Sequence, residues 1–200
     1  MKALPGITHV GCFAHARRKF FEASQASGKP QSAEEGIKYI RKLYEIENRL
    51  RDELSSKKKS EHEFLADRKT QAGPVLAAFR EWLNKRASEV LPSDLLGKAV
   101  AYTLNQWDKL VRYLDSTHLT PDNNVSENAI RPFVLGRKNW LFNKSPNGAK
   151  SSCGMYTLIE TAKQNGVEPL AYLRALFEKA PLASTPEGWE KLLPWNIFKP

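Results

Sequence analysis

Cysteine is scarce in this 200-residue chain: Cys12 and Cys153 are the only two. Two thiols cannot build a disulfide framework, which sets aside the small stapled domains of secreted proteins and points to a reducing cytosol. Long apolar runs are also missing, and none approaches the roughly twenty residues that a membrane span needs. The N-terminal MKALPGITHVGC has one Lys and a Pro–Gly break where a signal peptide would carry its apolar core, so a cytoplasmic location is expected. No glycine-rich phosphate loop, nucleophile elbow, HExxH string or CxxC pair is present, which removes the commonest nucleotide-binding, hydrolase and zinc signatures. Internal repeats and low-complexity tracts are absent as well.

What is present is a globular composition with a basic excess. The chain is 41% hydrophobic and 26% charged, ordinary for a packed domain and long enough for a sizeable core. Its 31 Lys and Arg against 22 Asp and Glu give a net charge of +9. Such an excess fits a polyanionic partner, nucleic acid ahead of membrane lipid, although a merely solvated basic surface satisfies it equally.

The periodicity is almost entirely helical. ITHVGCF, residues 7–13, is the one β-leaning run, following Pro5-Gly6. A helix is predicted from Ala14 and ends at Gly28-Lys29-Pro30. A second fits 33–55, with Ile37, Ile40, Leu43, Tyr44, Leu50 and Leu54 at helical spacing. A third fits 61–89, with a break expected at Gly73-Pro74, and a fourth 94–114. Further helices are predicted over 149–165 and 168–179, Pro169 suiting a first turn. A lone strand has no ladder partner, so ITHVGCF reads as part of a sheet completed elsewhere.

The chemistry concentrates in residues 121–148, PDNNVSENAIRPFVLGRKNWLFNKSPNG. Asp122, Asn123 and Asn124 are turn and cap formers, and the helix they start would carry Glu127 in its first turns. Glu127 and Arg131 are four apart and share a face, which an ordinary surface ion pair would also explain. Pro132 is expected to kink or end that helix. Beyond it Arg137, Lys138, Trp140 and Lys144 mix cations with aromatics, a pattern suited to stacking on bases and pairing with phosphates, or to rings in the core with charges outside. Arg17 and Arg18 open the helix after ITHVGCF and could contact phosphates or face water. His9, Cys12 and His15 are three apart, a spacing that does not converge on a strand, so a structural zinc site is not expected.

Four strings carry a resemblance: HVGCFAHARRKFFEA, DNNVSENAIRPFVLGRKNWLF, LIETAKQNGVEPLAYLRALF and LLPW. Together they resemble the C-terminal half of the IS66 family of bacterial insertion-sequence transposases, with residues 25–115 the least distinctive part. The resemblance implies a DDE transposase with a ribonuclease H-like catalytic domain, in which two Asp and one Glu hold two Mg²⁺ for DNA strand cleavage and transfer. It makes Glu127 the catalytic, metal-binding carboxylate. It gives Cys12, His15, Asp122, Asn123 and Asn124 a site-shaping role, and Arg17, Arg18, Arg131, Arg137, Lys138, Trp140 and Lys144 a role in DNA binding.

By the same resemblance, residues 1–24 correspond to the last sheet strand and its helix, and 25–115 to a helical insertion. Residues 116–165 would be the Glu-bearing helix with the basic-aromatic segment, and 166–200 a C-terminal helix and tail. The family's two Asp lie upstream of HVGC, and no Asp precedes Asp52 here. The expectation is therefore a mainly α chain with one or few short strands, an incomplete ribonuclease H-like domain that holds Mg²⁺ poorly alone. DNA would be its partner, together with an N-terminal transposase half or accessory proteins of the element, and no membrane. The rival expectations are a non-catalytic helical DNA-binding regulator and a structural remnant.

Overall fold

The computed structural model describes the backbone of residues 7–26, 30–140 and 143–198, and the side chains of these except residues 30 and 137–140. The chain divides into two compact units, 1–123 and 124–200.

The first unit is built from helices α1 (Phe13–Gln25), α2 (Pro30–Ser55), α3 (Glu61–Glu89), α4 (Leu95–Asn105) and the short α5 (Trp107–Leu110), then a 3₁₀ turn over Val111–Asp115. The α2 periodicity is realised as read: Ile37, Ile40, Leu43 and Leu50 are buried, and Tyr44 is half-buried. They meet Phe13, Ala16 and Phe20 of α1 and Val75, Leu76, Phe79 and Leu83 of α3 in one core. Its aromatic centre is Phe79, stacked on Tyr39 at 5.1 Å and edge-on to Trp107 at 5.9 Å. The close approach of α1 to α2 requires Gly36, because a Cβ there would sit 2.8 Å from the Phe20 ring. Ser60 starts α3 through a reciprocal cap, its hydroxyl accepting from the Glu63 N–H while the Glu63 carboxylate accepts from the Ser60 N–H.

Three expectations are corrected here. Residues 7–12 are not a strand, and Phe13 already belongs to α1. Cys12 is extended (φ −124°, ψ 114°), but the neighbouring chain is helical and offers single bonds instead of a ladder: Gly11 N–H donates to the Lys109 carbonyl and Phe13 N–H to that of Pro121, both at 2.8 Å. Among the described residues there is no strand. Pro74 does not break α3; the carbonyl deprived of a donor belongs to Thr70, which is exposed and open to water. Finally, the predicted 94–114 helix is interrupted at Gln106 (φ −101°, ψ 2°), which lets Leu110 and Tyr113 turn into the core.

At the middle of this unit lies a buried charge. Arg68 of α3 is fully buried, and its guanidinium donates to Glu47 of α2 at 2.7 Å. The remaining Nη1 and Nη2 hydrogens donate to the carbonyls of Tyr113 at 2.6 Å, Ser116 at 2.8 Å and Leu119 at 3.2 Å. Burial pulls the Arg68 pKa down, and the Glu47 carboxylate opposes that pull. Arg51 adds a second guanidinium, bonding Glu47 at 2.8 Å and the Leu119 carbonyl at 2.6 Å. Two helices and the strap from 113 to 119 are thus joined through one side chain.

The second unit contains α6 (Asn124–Trp140), α7 (Pro146–Gln164), α8 (Pro169–Lys179), a 3₁₀ turn over Ala180–Leu182 and α9 (Pro186–Glu190). Its core is small: Ala162, Tyr172, Leu192 and Ile197, with the Tyr172 hydroxyl donating to the Leu192 carbonyl at 3.1 Å. Gly166 (φ 71°) closes α7 in a left-handed turn, with Val167 N–H reaching back to the Ala162 carbonyl. Glu168 then caps α8, its carboxylate accepting from the N–H groups of Leu170 and Ala171.

Removing Arg68 leaves Glu47 with Arg51 alone and the Tyr113 and Ser116 carbonyls without their donor, and breaking a buried pair costs about 3–5 kcal/mol. Arg68→Ala is expected to lower unfolding stability by that amount in urea denaturation; a loss below about 1 kcal/mol would show that the buried pair does not hold the unit together.

Candidate functional site

The first unit gathers several of the expected residues around one tyrosine. The start of α1 is fixed by backbone bonds from Gly11 and Phe13, and by Arg112, which donates to the His9 carbonyl at 2.8 Å. Cys12, half-buried at the N-cap of α1, lies within electrostatic reach of Tyr44 from α2 and Tyr102 from α4. The Tyr44 hydroxyl is hydrogen-bonded to the Asp122 carboxylate. Burial raises the Tyr44 pKa well above the usual phenol value, and the Asp122 bond and charge raise it further; Arg17, nearby, pulls the other way. Cys12, Arg17 and Asp122 therefore do come together. Arg18 and His15 lie on the exposed side of α1, and Asn123 is exposed at the end of the strap. Tyr44 escaped the sequence reading, which counted it as one more apolar position of α2.

The second unit carries Glu127. It stands in the first turn of α6, where a negative charge complements the helix dipole. Ser126 and Asn128 flank it, and all three are exposed. Glu127, Asn128, Ile130, Arg131 and Val134 line a shallow depression of about 360 Å³, so the i,i+4 pair does share one face. Pro132 does not end α6, contrary to expectation: the helix continues to Trp140, and the carbonyl it deprives belongs to exposed Asn128. On its other side α6 meets α7 through an edge-on contact of Phe133 with Tyr156 at 5.3 Å.

Arg137, Lys138 and Trp140 are in the last turns of α6, and their side chains lie outside the described residues. Phe142 lies outside them altogether. Asn124 and Lys144 are exposed.

The carboxylates do not form a metal site by themselves. Among the described residues no group of three or more His, Cys, Asp or Glu could hold an ion. Mg²⁺ demands a near-octahedral oxygen shell, for which Glu127 supplies one group. Nor is any helix among the described residues long and apolar enough to cross a membrane.

Two family models cover nearly the whole chain: the transposase IS66 family over residues 1–151, and the IS66 C-terminal element over 157–195. The chain belongs to the IS66 transposase family. It is similar to the uncharacterized protein y4qI of Sinorhizobium fredii, 34% identical over 97% of this chain and 34% of that protein. It is also similar to the uncharacterized protein y4hP of the same organism, 33% identical over 98% of this chain and 36% of that protein. The IS66 chain thus spans about a third of the length of the curated relatives it matches. No solved structure matches it.

The Tyr44–Asp122 contact has a signature in pH. Because the folded pKa of Tyr44 lies above the unfolded value of 10.0, the unfolded chain releases its proton first as pH rises. Stability is then unaffected below about pH 10 and falls above it. Tyr113, buried beside Glu47, acts in the same sense. Absorbance titration at alkaline pH should show Tyr44 and Tyr113 ionising only with unfolding, and Tyr44→Phe should flatten the decline. An unchanged decline in that variant would place Tyr44 in water.

Proposed function

We propose that this chain is part of a transposase that cuts and joins DNA strands, with Glu127 as one carboxylate of its metal site. The observation that carries the reading is Glu127 itself: within a family transposase match, it stands exposed in the first turn of α6, on one face with Arg131. An exposed carboxylate is the kind of group that ligates a divalent ion, and a cation four residues on suits the phosphate that such an ion would also bind. The remaining acidic ligands would come from other residues of the whole protein, as would the strands of a ribonuclease H-like sheet onto which the 7–12 segment would pair. The helices α2 to α5 correspond to the family's helical insertion. Cys12, Asp122 and their tyrosine shape the chain just before α6. Mg²⁺ is the proposed cofactor of the whole enzyme and DNA its substrate.

A second reading, a DNA-binding protein that does not cut, is favoured by the absence of a three-ligand cluster among the described residues. Two measurements separate the readings. The purified chain alone is expected not to nick or join DNA with Mg²⁺ or Mn²⁺, since one carboxylate does not hold two ions. Mixed with a family polypeptide covering the residues this chain does not match, it should gain metal-dependent cleavage that Glu127→Gln abolishes. Cleavage by the chain alone, lost in Glu127→Gln, would mean that its own acids complete the site. Cleavage by the mixture that survives Glu127→Gln would remove Glu127 from the chemistry.

DNA binding itself should weaken steeply with salt, because each neutralised phosphate releases counterions with a slope contribution of about 0.9. Changing Arg137 and Lys138 together to Gln should lower the salt slope by about 2 and weaken all sequences alike. An unchanged slope would make both residues ordinary surface charges.

A further inference from the structure

The solvent face of α1 carries two exposed arginines, Arg17 and Arg18. Arg17, Arg18 and Lys19 are consecutive on α1, and among the described residues none of them is paired with a carboxylate. Glu22 is the single acid of this helix and is also exposed.

Between these cations stands an exposed aromatic ring. Phe20 and Phe21 are adjacent, yet Phe20 is fully buried against Phe79 and Trp82 while Phe21 is 52% exposed. Phe21 is four residues beyond Arg17 and three beyond Arg18, so all three share the outward stripe of the helix. On the flank facing α4, the Lys19 ammonium lies over the Tyr102 ring, 5.0 Å from its centre, a cation–π contact that leaves the charge at the surface. An apolar ring left in water beside two exposed guanidiniums fits a ligand that is both anionic and flat-faced. A lipid surface fits less well, since the apolar stripe of α1 is already spent on the core and Phe21 alone would insert.

We propose that this face of α1 binds single-stranded DNA, with an unpaired base stacked on Phe21 and its flanking phosphates held by Arg17 and Arg18. The proposal rests on the transposase reading and adds to it a preference for unpaired strands. In a duplex both faces of each base are covered by neighbours, so only an unstacked base can offer its face to the ring.

The test uses the full chain carrying Arg131→Gln, Arg137→Gln and Lys138→Gln, so that α6 contributes little, with a short mixed-sequence oligonucleotide and its duplex as probes. Phe21→Ala on this background should weaken single-strand binding roughly 5- to 150-fold, the range for one stacked base, and leave duplex binding unchanged. Phe21→Trp should keep the affinity, and its added indole emission should be quenched by the single strand. Far-UV circular dichroism checks that Phe21→Ala is folded, as its half-exposed position implies. Single-strand affinity indifferent to Phe21→Ala overturns the proposal while leaving the transposase reading intact, and so does an equal loss for both probes. Phe21-dependent binding to phosphatidylserine vesicles, with none to the oligonucleotide, would assign the face to lipid instead. An unsubstituted chain that binds neither probe at low salt overturns both the proposal and the DNA-binding reading beneath it.

Discussion

Arg68 has no surface in contact with solvent, and a charge so placed must be answered by the structure around it. Glu47 answers the charge, and three backbone carbonyls answer four N–H groups together with it. Those four partners come from three stretches: α2, the 3₁₀ turn at Tyr113, and the strap through Ser116 and Leu119. The geometry of the first unit follows from satisfying one guanidinium. Helices α2 and α3 could pack through their apolar stripes in several registers, since hydrophobic contact is non-directional. A guanidinium's N–H groups are directional, and they select the register in which Glu47 and the three carbonyls all lie within reach.

The strap matters because of where it leads. It leaves the Arg68 site at Leu119, is bonded through Pro121 to the start of α1 and through Asp122 to Tyr44, and then passes into α6 with Glu127 in its first turn. The IS66 chain thus places Glu127 a few residues after a segment tied by Arg51, Arg68 and Tyr44.

Much of this was legible in the sequence where local rules decide. The apolar spacing of α2, the end of α7 beside residue 165 and Pro169 at the start of α8 each depend on residues within a turn or two, and each reads correctly. Glu127 on a helix after the Asn-Asn turn was legible for the same reason. What failed were local rules overridden by their surroundings. ITHVGCF is extended by composition, but a strand is made by its neighbour, and here the neighbour is helical. Pro74 and Pro132 each sacrifice one hydrogen bond whose carbonyl belongs to an exposed residue, so both helices run through them. The Tyr44–Asp122 contact and the Arg68 network were invisible because nothing in a sequence states which distant carbonyl a donor will reach. An arginine in a helix full of charges looks like surface until the fold buries it.

The Arg68 anchor also constrains how the IS66 chain can vary. A guanidinium that grips backbone carbonyls is indifferent to the side chains at positions 113, 116 and 119, because every amino acid supplies the same oxygen. Substitution along the strap can proceed without loosening it, provided the residues suit their own packing. Insertion or deletion cannot, since moving the chain by one peptide shifts every carbonyl out of reach and strands a buried charge. The strap is therefore permissive in composition and strict in length, and the number of residues between Tyr113 and Leu119 should drift far less than their identities.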